Sequence, residues 1–148
     1  MYNTVLVPLD GSKRAEAILP HVEFITEFYR AKTVFLRIEE PALMLGRDEI
    51  ADLSKCREEF ANRKKEAEVY LEEKKREFLD KGFDVETRIS FGPVVKTILT
   101  IAEDIQADLI AIASHGLGGS QRMFYGSVAA GILQRIDRPL LIIRTRRI

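Results

Sequence analysis

Sulfur and imidazole are scarce in this chain of 148 residues, which has one cysteine, Cys56, and two histidines, His21 and His115. A single thiol excludes an internal disulfide, so the fold has to rest on its apolar core; Cys56 itself reads as a helix-face residue. No Cys or His cluster has the spacing of a metal site. Net charge is missing too, since 23 Lys and Arg balance 23 Asp and Glu. A dedicated nucleic-acid binder carries a basic excess or stripe, so no nucleic-acid partner is expected. No apolar run approaches the roughly 20 residues of a membrane span. The opening MYNTVLVPLD lacks the basic patch and long apolar stretch of a secretion signal, and the expected location is the cytoplasm. Repeats, linkers and low-complexity tracts are absent as well. A length near the commonest domain size then implies one domain over residues 1–148.

What the sequence does have is short apolar runs alternating with amphipathic segments. Thr4-Val5-Leu6-Val7-Pro8-Leu9 reads as a buried strand, stopped by Asp10-Gly11-Ser12. Ser12 suits a helix N-cap, and Ala15, Ile18, Leu19, Val22, Ile25 and Phe28 repeat at the spacing of a helix on a sheet. Residues 33–38 give a second strand, followed by a loop with Pro41 and Gly46. A charged helix is predicted over about 48–81, with Ile50, Leu53, Phe60, Ala67, Leu71 and Phe78 as its apolar stripe and Gly82 as its stop. A third strand over 85–91 precedes a helix carrying Val95, Ile98, Leu99, Ala102 and Ile105. Leu109–Ala113 is a fourth, wholly apolar strand, a helix with Val128, Ile132, Leu133 and Ile136 follows, and Leu140–Ile143 closes the chain as a fifth. Strands alternating with helices need crossover connections, which make the sheet parallel and cover both faces. Ligands bind such sheets beyond the carboxyl ends of the strands, where strand order reverses.

The loop after the fourth strand, Ala113-Ser114-His115-Gly116-Leu117-Gly118-Gly119-Ser120, runs on to Gly126-Ser127 at a helix start. Glycines let backbone amides approach an anion, and the helix start adds free amides and a positive dipole end. Together they form a cradle for a di- or triphosphate. The loop lacks the Gly-Lys-Ser/Thr ending of a P-loop, and the first strand lacks a dinucleotide fingerprint. Asp10, at the end of a central strand, can accept from a ribose hydroxyl or hold a metal bound to phosphates; alternatively it only orders its own turn. His115 suits phosphate contact or loop ordering better than general base work, and no hydrolytic triad is visible. A phospho-receiver domain also alternates strands and helices after an early Asp, but here Asp10 stands alone and Ser90-Phe91-Gly92 follows the third strand.

Three stretches carry a family likeness: Val5-Leu6-Val7-Pro8-Leu9-Asp10-Gly11-Ser12, Ala113-Ser114-His115-Gly116, and Gly126-Ser127-Val128 with the closing Arg138-Pro139-Leu140-Leu141-Ile142-Ile143. Over essentially its full length the chain resembles the universal stress protein family. ATP-binding members share Gly, two residues, Gly, nine residues, then Gly-Ser or Gly-Thr. Here Gly116, nine residues and Gly126-Ser127 fit, while Ala113 stands at the first glycine. The resemblance implies an open, Rossmann-like five-stranded parallel sheet of order 3-2-1-4-5 with helices on both faces. It implies ATP or another adenine nucleotide as ligand, and the metal role read for Asp10 above would then concern Mg²⁺ carried on the phosphates. Pro8, Asp10 and the backbone of Ile38 would meet adenine and ribose, Ile112 and Ala113 would line the floor, and Gly116, Gly126, Ser127 and Val128 would meet phosphate. Ser12, Ser114, His115 and Arg122 flank the same loops and join the candidates. The family likeness further implies a homodimer paired through Leu140, Leu141, Ile142 and Ile143. The function expected is a stress-response sensor or signalling module with at most slow ATP hydrolysis. The alternative is a family member that binds no nucleotide and acts as a dimeric protein-interaction module, a reading that rests on Ala113. A valine at position 126 is expected to block the cradle and leave the fold intact.

Overall fold

Strand β1 (Thr4–Pro8) runs through the centre of the sheet with Val5, Leu6 and Val7 all fully buried. The computed structural model of the chain describes residues 1–40, 53–115 and 126–145. After β1 come a 3₁₀ turn (Ala15–Ile18), α1 (Leu19–Tyr29), β2 (Lys32–Glu39), α2 (Leu53–Asp80), β3 (Asp84–Phe91), α3 (Val94–Asp104), β4 (Leu109–Ala113), α4 (Ser127–Arg135) and β5 (Leu140–Ile143). The five strands form one parallel sheet in the order β3-β2-β1-β4-β5, as the alternating pattern and the family likeness lead one to expect.

Alternation along each strand divides the core in two. Val5 and Val7 of β1, Phe35, Val85 and Ala111 pack with Ile18, Leu19 and Val22 around α1 and with Leu71 and Phe78 of α2. Leu6, Val34, Leu36, Ile110 and Ile112 pack on the other face with Ile98 and Ala102 of α3 and with Ala129 and Ile132 of α4. Phe35 meets Phe78 edge to face at 4.8 Å, a geometry worth about 0.5–1.5 kcal/mol beyond burial.

Polar groups fix the ends of the elements. The Asp108 carboxylate accepts the Asn3 and Thr4 amides at 2.8 and 2.9 Å, which sets the start of β1 beside β4. Arg138 donates through Nη1 to the Ala102 and Ala107 carbonyls at 2.9 and 3.0 Å and through Nη2 to Glu103 at 2.6 Å. It thereby satisfies carbonyls at the end of α3 and docks the entry to β5.

Three sequence expectations change. Phe28 does not face the core but is 72% exposed, because Thr26 turns inward and bonds its hydroxyl to the Val22 carbonyl at 2.9 Å. Leu133 is likewise half exposed, while Ala129 takes the buried position on α4. On α2 the stripe is buried only at Ala67, Leu71 and Phe78; Phe60 leans against Phe91 at 4.8 Å and stays partly exposed. The first half of this helix, about 42 Å long at 1.5 Å per residue, has little sheet beneath it. Ile50 and the loop with Pro41 and Gly46 lie outside the described residues.

Candidate functional site

Strand order reverses between β1 and β4, the position where a parallel sheet opens a crevice past its carboxyl ends. A cavity of about 250 Å³ lies there. It is just under the roughly 300–1,000 Å³ of many small-molecule sites; residues 116–125 are outside the described residues.

β1 delivers Pro8, Leu9 and Asp10 to the cavity rim, and β2 delivers Leu36 and Ile38. Ile112 and Ala113 at the end of β4 line it further, followed by Ser114 and His115. The opposite wall is the start of α4, with Gly126, Ser127 and Val128. Ten of the candidate residues named from sequence therefore meet at one place, Ile38 of the neighbouring strand among them. Ser12 is not part of the lining; Gly116 and Arg122 lie outside the described residues. Val94, Ile98, Ala15 and Ala129 also line the cavity and were not singled out by the sequence. Their signal was only helix-face periodicity, which marks burial and not which buried residue borders a void.

The first loop is held from within. The Asp10 Oδ1 accepts the Ser12 amide at 2.9 Å and the Ser12 hydroxyl at 2.6 Å, while the Ser12 Oγ accepts the Ala15 amide at 3.1 Å. Asp10 thus orders its own turn and Ser12 satisfies a donor at the helical entry. The two sequence readings of Asp10 are compatible, since a carboxylate has two acceptor oxygens and both bonds of this turn go to Oδ1.

Ser114 organises the other wall. Its amide donates to the Ile143 carbonyl at 2.8 Å, and its carbonyl accepts the Gly126 amide at 2.6 Å. The residue is 1% exposed, and its hydroxyl lies 2.9 Å from His115 Nδ1 and accepts the Thr145 amide at 3.2 Å. Among the described residues, the pairing that gives the buried hydroxyl proton an acceptor has Ser114 donating to Nδ1, with the ring proton on Nε2. Such a buried, doubly engaged hydroxyl serves as scaffold, and a serine–histidine contact here does not make a nucleophile.

Gly126 is required by this wall itself. A Cβ at position 126 would stand 2.7 Å from the Ser114 carbonyl oxygen, a backbone atom that cannot swing away. The expectation that valine here spares the fold is therefore corrected: any side chain would push the start of α4 off the end of β4. From Gly126 the helix begins with no side-chain cap. Its first amides and the positive end of its dipole adjoin the cavity.

Among the described residues no group of three or more His, Cys, Asp and Glu is placed to hold a metal ion. No helix among them is long and apolar enough to cross a membrane.

The sequence matches the model of the universal stress protein family over residues 1–144. Universal stress protein MJ0577 of Methanocaldococcus jannaschii is 31% identical, over 99% of this chain and 97% of that protein. The solved structure of MJ0577 superposes with a TM-score of 0.88, at 28% identity, over 100% of this chain and 99% of the other. Universal stress protein YxiE of Bacillus subtilis is 28% identical, over 97% of this chain and 100% of its own. A universal stress protein solved in complex with cAMP shares the fold at a TM-score of 0.63 and 23% identity, covering 98% of each chain. The crevice at the β1–β4 reversal, with its Gly126-Ser127 wall, thus belongs to a chain that is a member of the universal stress protein family.

Proposed function

We propose that the crevice binds an adenine nucleotide and that the protein is a stress-response sensor or signalling module. The observation that carries this reading is the meeting of two distant loops in one cavity, apolar along Leu36, Ile38 and Ile112 and ending at a helix N-terminus. An apolar slot with a few polar groups suits a base and ribose; the first-turn amides of α4 at Ser127 and Val128 suit phosphate. Pro8, Asp10 and Ile38 are assigned to the nucleoside end and Gly126, Ser127 and Val128 to the phosphate end. Gly116 is kept as a phosphate contact from the family motif. The donor set fits a magnesium ion that arrives on the phosphates with Asp10 beside it, since Asp10 alone makes no resident site. Positioned donors without a water-activating group imply at most slow hydrolysis. The working form is taken to be a cytoplasmic homodimer through β5.

Calorimetric titration of the nucleotide-stripped protein with ATP and Mg²⁺, and with adenosine, tests the reading. Binding near micromolar is expected for ATP, and Ser127→Ala should weaken ATP about tenfold by loss of one charge-assisted hydrogen bond. Adenosine affinity should not change in that variant. An absence of heat with every adenine ligand would favour the second reading, a nucleotide-free interaction module. The exposed first half of α2, from Lys55 to Glu66 with only Cys56 half-buried, is the surface that favours it.

A further inference from the structure

Arg37 lies outside the cavity, yet it is packed against the loop that forms the cavity rim. β2 turns Leu36 and Ile38 toward the crevice, and the two-residue alternation sends Arg37 to the α1/α2 face. There Arg37 is only 18% exposed, and its Nε holds Glu39 at 3.2 Å. Its guanidinium lies over the Tyr70 ring of α2, 5.4 Å from the centroid. The Nη1 occupies the space a side chain at residue 11 would need, 2.8 Å from where a Cβ on Gly11 would stand. Gly11 has φ +88°, a conformation that itself favours glycine. The guanidinium is therefore seated directly against the backbone of the Asp10–Ser12 turn.

The ring beneath it is held in turn. The Tyr70 hydroxyl donates to Glu16 Oε2 at 2.9 Å. Lys74, 12% exposed, pairs with Glu16 Oε1 at 2.8 Å and lies 5.7 Å from the same ring. An exposed ion pair contributes little, but this arrangement is a shielded stack of guanidinium on aromatic ring with both ends anchored. A lysine lacks the flat face and the fork that it uses.

We propose that Arg37 is a positioning residue, which from the far face of the sheet, seated on Tyr70, fixes the Asp10–Gly11–Ser12 turn at the nucleoside end of the crevice. The inference rests on the nucleotide reading of that crevice for its functional consequence, and on the Arg37–Gly11 packing for its mechanical part. The turn and the start of α4 stand on opposite walls of the cavity, so in the absence of Mg²⁺, which would otherwise link Asp10 to the phosphates, loss of Arg37 acts through the nucleoside end. Adenosine and ATP should then lose affinity by the same factor, unlike the effect of Ser127→Ala.

The test uses the full chain and two readouts. Arg37→Met keeps the aliphatic stem and removes the guanidinium; Arg37→Lys keeps the charge; Tyr70→Leu removes the seat. In the nucleotide-free protein, Arg37→Met and Tyr70→Leu should speed amide hydrogen exchange at Gly11 and Ser12 relative to the parent. In calorimetry without Mg²⁺ both should weaken adenosine and ATP equally, by about tenfold, and Arg37→Lys should recover little of it. Unchanged exchange at Gly11 and Ser12 in Arg37→Met overturns the proposal, whatever happens to affinity. A loss confined to ATP also overturns it, since that is the signature of a charge acting on phosphate. If the parent binds no adenine ligand while exchange at the turn quickens, the anchor stands and the nucleotide reading falls.

Discussion

Thr33 is fully buried near the start of β2, and its hydroxyl has no hydrogen-bond partner among the described residues. A hydroxyl removed from water without a partner costs about 1–3 kcal/mol on protein scales. Replacing it with a methyl of nearly the same size removes that cost, and valine is at home in a strand. Thr33→Val should therefore raise stability by about 1 kcal/mol and the melting temperature by roughly 2–4 °C. Urea unfolding of the two proteins checks this; a less stable variant would mean that the hydroxyl has a partner. Single residues also mark where sequence motifs mislead. Gly126 reads as a ligand-facing glycine, yet its missing Cβ makes room for the Ser114 carbonyl. Gly11 reads as a turn glycine, yet Arg37 fills the space beside it. A motif gives the residue type and the strand end, and only the packed structure says which neighbour demands it.

Helix α2 illustrates the same limit at the scale of an element. Its periodic apolar positions run from Ile50 to Phe78 in the sequence, but periodicity cannot say where the sheet beneath it ends. Only Ala67, Leu71 and Phe78 are fully buried, so the helix is docked through its second half. Tyr70, one turn past Ala67, sits where docking begins. Burial, reinforced by the hydrogen bond to the Glu16 carboxylate, pushes its phenol well above the ordinary tyrosine value. The neutral phenol is thus the form the folded state prefers. A pKa higher in the folded than in the unfolded chain contributes stability that is complete below about pH 10, the unfolded value. The contribution is lost as pH rises from there toward the folded value. Unfolding curves of the parent and Tyr70→Phe, measured from pH 8 upward, should run parallel to about pH 10 and then converge as the parent loses its advantage. Curves that stay parallel above that point would show that α2 does not shield the phenol.

For the whole molecule, topology was the most legible property. Leu109–Ala113 and Leu140–Ile143 match their sequence boundaries, because wholly apolar runs between polar turns leave a buried strand few alternatives. The crevice was legible at its rim, since Pro8, Asp10 and Ser127 stand at element ends that motifs mark. Its inner wall at Val94 and Ile98 was not, because one buried helix position looks like another until the void beside it is known. The connection from Tyr70 through Arg37 to Gly11 was also hidden, as it joins three elements through side chains with no shared motif. One property of the whole remains to be tested, the pairing of β5. It is a sheet edge, bonded to β4 alone among the described strands. The Ile110 amide donates to the Pro139 carbonyl and the Ser114 amide to the Ile143 carbonyl. In parallel pairing that register turns the amides of Leu140 and Ile142 away from β4. An edge with outward amides is a template for a second copy, and none of the four side chains is fully buried in the single chain. Light scattering should therefore give twice the mass of the chain. Ile142→Pro deletes only an outward donor, which edge strands tolerate, and should yield a monomer that still unfolds cooperatively. A parent that is already monomeric at tens of micromolar would remove β5 as the dimer edge, and a proline variant that stays dimeric would move the contact elsewhere on the surface.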